Sequence, residues 1–254
     1  MAALKAVTSS VDVWRTVAVS IAALVEEASF EANEAGISFR AMDPSHVAMI
    51  DLSWSKTAFE EYSCEGKIRF GLRMEDLVKM LKGVDKANRV ELAIEEGDTV
   101  TFSFFSEDEG GVERWRLQMV EVFETGTPPL PKINFSVSAQ LSAALLGRCI
   151  KRISTISDHI MIEANPDSLT FKGRSEFGEV TLTVPKSASE IYDYKVKESA
   201  AASYNLDFLD AFIKSVSKAT PTVLFEFSNK SPLKLESRPA EGLTLTFFLA
   251  PRLE

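Results

Sequence analysis

Asp43 and His46 stand three residues apart, a spacing at which a carboxylate could orient an imidazole for general acid–base work, and His159 is the only other histidine. The same stretch, Asp43-Pro44-Ser45, is also good turn chemistry, since an aspartate side chain can fold back onto nearby backbone amides and proline presets φ. Two histidines and two cysteines, Cys64 and Cys149, offer little material for a metal site. The sequence has no glycine-rich phosphate loop, no nucleophile elbow and no zinc-ligand spacing. A turn is expected at Asp43, and no catalytic residue, metal or cofactor is assigned.

The other concentrated chemistry is cationic. Between 139 and 155 the charged residues are Arg148, Lys151 and Arg152, with no acid among them, and their three- and four-residue spacing puts them on one stripe of a helix. Lys79 and Lys82 fall on a helix expected near 74–82, with Lys86 just after it, and Lys214 on one near 206–217, with Lys218 following. For these two helices a plainer account stands open: Glu75-Asp76 before Lys82, and Asp207 before Lys214, complement the helix dipole. That account fails for the helix without acid, and bases on repeated helices fit a shared polyanion bound through its phosphates without base readout. The formal charge is −9, from 28 Lys and Arg against 37 Asp and Glu, so any such surface must be local.

The elements that would position these residues are written twice. Val13, Trp14, Val17, Ala18, Ile21 and Leu24 recur 132 positions later as Leu145, Leu146, Cys149, Ile150, Ile153 and Ile156, at helical spacing. Phe30-Glu31-Ala32-Asn33 recurs as Ile162-Glu163-Ala164-Asn165 at the same offset. A period this long indicates two homologous domains and not a solenoid. Each half is expected to hold a first helix (9–25, 139–155), a second helix, and about eight strands. The second half carries a shorter counterpart of the acidic loop at 106–111.

Between the halves, residues 121–132 contain Pro128, Pro129 and Pro131, which exclude helix and interior strand. The expected organisation is domain 1 over 1–120, a connector over 121–132 and domain 2 over 133–254. With so few helices to cover the sheets, edge strands are left that invite pairing with another chain, and a head-to-tail contact of that kind closes into a ring if its rotation allows. The chain is 45% hydrophobic, enough for a core in each half, but no apolar stretch approaches the roughly 20 residues that span a bilayer. No membrane segment and no export are expected, and the two cysteines fit a reducing interior.

The stretch Ala41-Met42-Asp43-Pro44-Ser45-His46-Val47-Ala48-Met49-Ile50-Asp51-Leu52 strongly resembles the signature turn and strand of the PCNA family of sliding clamps, and the ending from Leu245 to Glu254 resembles that family's own. The resemblance covers essentially the whole chain. It implies an α+β fold of two duplicated DNA-clamp domains, with helices on the inner face and antiparallel sheets on the outer face, assembling into a three-chain ring around duplex DNA. The DNA-facing positions it implies are Arg15, Lys79, Lys82, Arg148, Lys151, Lys214 and Lys218; on the first helix, where the family often has several lysines, this chain has Thr16, Ser20 and Ala22 around Arg15.

It further implies a hydrophobic pocket for short peptide motifs of DNA polymerase, flap endonuclease, DNA ligase and the clamp loader, built from Met42, His46, Val47, Met49, Pro129, Leu130, Pro232, Phe248, Leu249, Ala250 and Pro251. Without the resemblance, Met42 and Phe248 are equally well core residues. The subunit contact it implies brings Arg114 and Arg116 of one chain to Glu176 and Glu179 of the next, in a trimer of like chains or of paralogues. The implied function is a non-enzymatic processivity factor of replication and repair; the alternative is a checkpoint-type or scaffold ring that docks proteins without a processivity role. The ending just after the motif leads to the expectation of an archaeal, cytoplasmic protein, nuclear if eukaryotic.

Overall fold

The structure, a computed structural model, describes residues 2–84, 87, 89–95, 97–106, 111–121 and 128–252. Lys86, the acidic loop residues 107–110, the connector residues 122–127 and the last two residues of the terminal motif lie outside the described residues.

The first half runs β1 (Leu4–Thr8), α1 (Val11–Ala22), β2 (Glu27–Asn33), β3 (Gly36–Met42), β4 (Ala48–Ser55), β5 (Glu61–Cys64), β6 (Ile68–Arg73), α2 (Met74–Gly83), β7 (Arg89–Ile94), β8 (Thr99–Phe105) and β9 (Val112–Gln118). The second runs β10 (Val137–Ser142), α3 (Ala143–Ile153), β11 (His159–Asn165), β12 (Ser168–Ser175), β13 (Gly178–Pro185), β14 (Ile191–Val196), β15 (Ala200–Asn205), α4 (Leu206–Val216), β16 (Thr222–Phe227), β17 (Leu233–Ala240) and β18 (Leu243–Leu249).

One expected boundary is corrected. The helix anticipated over 139–155 begins at Ala143, because Val137, Ala139 and Leu141 alternate into the core as strand β10. The apolar period changes from two to helical at Ser142, whose hydroxyl accepts from Leu145 N at 3.4 Å as the N-cap. The first helix is likewise shorter than 9–25, opening where Ser10 accepts from Asp12 N at 3.1 Å.

The two halves share one topology, with each strand of the first matched by the strand nine places later. Strands run β5-β1-β7-β8-β9 and β4-β3-β2-β6 in the first, β14-β10-β16-β17-β18 and β13-β12-β11-β15 in the second. Hydrogen bonds repeat at the same offset as the sequence. Tyr62 Oη donates to Asn33 O and Tyr194 Oη to Asn165 O, each at 2.8 Å, while Met74 N donates to Glu26 O and Leu206 N to Asp158 O.

By compactness the chain forms two units, one of Met1–Met42, Ile50–Pro128 and Arg238–Leu245, the other of Asp43–Met49, Pro129–Ser237 and Thr246–Glu254. In the first unit α1 packs on α2 over a core where Trp14 meets Trp54 and, edge-on at 5.3 Å, Phe102. Trp14 Nε1 donates to Thr8 Oγ1 at 3.0 Å, so this indole is buried without an orphan donor. In the second unit α3 packs on α4, and Phe212 stacks on Phe247 at 4.7 Å. Each helix buries one stripe and leaves the other to solvent, which makes the composition of the exposed stripes the next question.

Candidate functional site

The exposed stripe of α3 is basic: Arg148, Lys151 and Arg152 project while Leu145, Leu146, Cys149, Ile150 and Ile153 are buried. Lys151 and Arg152 make no ion pair among the described residues, whereas both oxygens of Glu190 accept from Arg148 Nη2, at 2.7 and 2.5 Å. Lys82 and Lys218 are exposed and likewise without an ion pair among the described residues. Lys79 pairs with Glu75 at 2.6 Å and Lys214 with Asp210 at 2.5 Å, both four residues apart on one helix. Such exposed pairs contribute at most about 1 kcal/mol and yield easily to a phosphate.

Arg15 stands apart. Its Nε donates to Leu81 O at 2.9 Å and its Nη2 to Val84 O, capping the carbonyl end of α2, while Nη1 pairs with Asp12 at 2.8 Å. This guanidinium is committed within its own unit, and the exposed stripe of α1 carries Asp12, Val19 and Ala22 in place of bases. Arg152, exposed on the same stripe as Lys151, belongs to the cationic face by position although the family pattern does not single it out.

The Asp43 turn is built on its carboxylate. Asp43 Oδ1 accepts from Val47 N at 2.7 Å and Ala48 N at 2.6 Å, and Oδ2 from Ser45 N at 2.8 Å and from the Ser45 hydroxyl. His46 takes φ 60°, a left-handed conformation few non-glycine residues adopt, and its N–H donates to Asp43 O at 2.9 Å. The carboxylate is thus spent on loop amides and not on an imidazole, which favours the turn over the acid–base dyad. Burial works to raise the Asp43 pKa, but the bonds from Ala48, Ser45 and Val47 together hold it below the ordinary aspartate value.

Because that folded-state pKa is depressed, the stabilisation is present in full above the unfolded value and is lost as pH falls through the folded one. Asp43→Ala, which strands several loop amides, is expected to lower unfolding free energy by about 3 kcal/mol near neutral pH. In urea titrations that deficit should shrink in acid below the ordinary carboxylate range; a constant deficit would count against this role.

Beside this turn runs the end of the chain. Ala250 N donates to Val47 O at 2.8 Å and Arg252 N to Ser203 O at 2.7 Å, while Arg252 Nη1 lies 3.0 Å from His159 Nδ1 and 4.0 Å from Asp158 Oδ1. Residues 250–252 are therefore a strap pinned at both ends. Of the pocket residues expected in this unit, His46, Val47, Pro129, Leu130, Pro232, Ala250 and Pro251 are exposed or half-buried. Met49, Phe248 and Leu249 are core residues here, Leu249 with no exposure at all, so they support a wall from behind. Met42 is half-buried at the end of β3 in the other unit, covalently joined to Asp43.

The edge strands complete the surface. β4 lies beside β18, with Ser55 N donating to Gly242 O at 2.8 Å at one end and Ala250 N to Val47 O at the other. Their counterparts in the other copies of the repeat, β13 and β9, are open edges. On β9, Arg114 and Arg116 share one face, and Trp115, opposite Phe102 and 40% exposed, lies on the other. On β13, Glu179 takes the face opposite to that of Val180 and Leu182, and Phe177, in the turn before it, is 95% exposed. Neither Trp115 nor Phe177 was singled out by sequence patterning, because edge exposure is invisible to it.

Residues 3–125 match the family model described as proliferating cell nuclear antigen, N-terminal domain, and residues 129–252 the one described as its C-terminal domain. The chain is 34% identical over 251 residues to the DNA polymerase sliding clamp of Cenarchaeum symbiosum, covering 99% of each chain. It is 34% identical over 247 residues to that of Nitrosopumilus maritimus, covering 97% of each. Among solved structures it is similar to the proliferating cellular nuclear antigen of Entamoeba histolytica, with a TM-score of 0.91, 25% identity and complete coverage of both chains. The fold also matches the PCNA of Thermococcus kodakaraensis, with a TM-score of 0.92 and 24% identity over 98% of this chain and 100% of that one.

Proposed function

This chain belongs to the proliferating cell nuclear antigen family and is a DNA polymerase sliding clamp, and from that premise we propose that three copies close head to tail into a ring around duplex DNA. The observation that carries the ring is the pairing of β4 with β18 beside the open edges of β13 and β9. The junction made once within a chain is offered again between chains, β9 of one against β13 of the next. Arg114 and Arg116 then come to Glu176 and Glu179 of an identical subunit, and this opposite charge supports closure by like chains. Domain 1 (1–120), the connector (121–132) and domain 2 (133–254) are the proposed working parts.

In the hole, the DNA-facing cations are Lys79, Lys82, Arg148, Lys151, Lys214 and Lys218, with Arg15 contributing least because its donors are committed to α2. The accessible residues around the Asp43 turn, the connector and the C-terminal strap form the pocket for peptide motifs of DNA polymerase, flap endonuclease, DNA ligase and the clamp loader. The archaeal relatives support a cytoplasmic location. Their naming as polymerase clamps favours processivity over a scaffold-only ring.

The deciding experiment loads the protein onto circular DNA and then linearises it. Retention on circles and loss from linear DNA is expected; equal retention on both would sink the topological mechanism. In a second measurement, Lys151→Ala with Lys218→Ala should lower the slope of log affinity against log salt by about 2, since each lysine released from a phosphate returns about one counterion. An unchanged slope would remove these helices from the DNA surface.

A further inference from the structure

We propose that Arg40 is a positioning residue for partner binding, one that tethers the connector by its Pro128 carbonyl and so presents Leu130 to the incoming peptide; this rests on the peptide pocket proposed above. Arg40 on β3 holds Asp51 on β4, Nε to Oδ1 at 2.5 Å, with the two side chains 24% and 18% exposed. The same guanidinium reaches Pro128 O through Nη1 at 3.2 Å. A half-buried pair of this kind is screened less than a surface one, and the planar fork lets one side chain serve both acceptors at once.

Past Pro128 the chain is nearly unsupported. Pro129 and Pro131 have no N–H to give, and among the described residues no hydrogen bond holds 129–133. The next anchor is Ser228, whose hydroxyl donates to Asn134 O at 3.2 Å and accepts from Ser136 N at 2.8 Å. Leu130, 44% exposed, lies between these two anchors. The prolines stiffen the segment locally, but direction must come from where it is held, and on the N-terminal side that hold is Arg40. Releasing it lets the connector sample more conformations, which a bound peptide must then order at a cost in affinity.

The signal in the sequence is faint. Arg40 and Asp51 are opposite charges on neighbouring strands, a pairing common on any sheet, and nothing in the pattern ties them to residue 128. The carbonyl contact is a tertiary fact.

The test uses the intact clamp, a fluorescent synthetic peptide copying the clamp-binding tail of the host DNA polymerase, and limited trypsin cleavage after the exposed Lys132. Arg40→Ala should weaken peptide binding roughly three- to tenfold and speed cleavage at Lys132 without changing the assembled mass. Asp51→Asn should act in the same direction, and Arg40→Lys should recover only part, since an ammonium cannot fork to both acceptors. Wild-type affinity in Arg40→Ala, whether or not cleavage speeds up, would overturn the proposal while leaving the pocket standing. Failure of the unmutated clamp to bind the peptide would instead overturn the pocket, and cleavage at Lys132 would then decide on its own whether Arg40 holds the connector. Should Arg40→Ala lower the melting temperature, Asp51→Asn carries the same comparison in a near-isosteric form.

Discussion

Replacing Arg114 and Arg116 together by glutamate is expected to break the ring into single chains at low micromolar concentration, and adding Glu176→Arg with Glu179→Arg to restore it. An exposed ion pair contributes about 0–1 kcal/mol, so turning two attractions into two repulsions should cost roughly 2–3 kcal/mol per contact. That is about 30- to 150-fold in each subunit contact. The reversal leaves the fold alone, because these arginines point away from the core beside Thr101 and Ser103 and make no ion pair among the described residues. Apolar area contributes too: Trp115 and Phe177 stand open at the two edges, and closure would withdraw them from water. Light scattering against concentration reads the outcome. A fourfold variant that stays monomeric while the double variant stays trimeric would show that these strands do not meet.

Leu130→Ala is expected to abolish most peptide binding while leaving stability nearly untouched. An exposed leucine gives little to the folded chain, but buried beneath a docked peptide it would contribute about 1.5–3 kcal/mol, roughly 10- to 150-fold in affinity. Leu249→Ala should behave in the opposite way. It has no exposed surface, and emptying its site should cost about 2–5 kcal/mol of unfolding free energy. Titration calorimetry on the first variant and urea unfolding on the second separate a wall residue from a supporting one. Equal binding by Leu130→Ala and the unmutated clamp would move the pocket away from the connector.

Much of the fold was legible because its signals are local. The helical spacing of Leu145, Leu146, Cys149 and Ile153 needs only the α-helical period, and the Asp43-Pro44-Ser45 turn needs only an aspartate within reach of its own following amides. The boundary error at 139–142 has an equally local cause: the strand β10 and the helix α3 share an unbroken apolar register, and only the cap at Ser142 separates them. The duplication was visible because both halves keep the same stripes at the same offset.

Residue type and spacing alone determined the repeat, the helices with their basic stripes, the turn and the family. Tertiary structure alone decided which charges are free. Arg15 and Lys151 look alike along the chain, yet one is spent on carbonyls 66 and 69 residues away and the other faces solvent. Arg148 is held by Glu190 and Arg40 by Pro128 across 42 and 88 residues. The reason is one of range: period and capping act over a turn or a strand, whereas the partner of a guanidinium and the exposure of a leucine depend on which distant segments the core brings together.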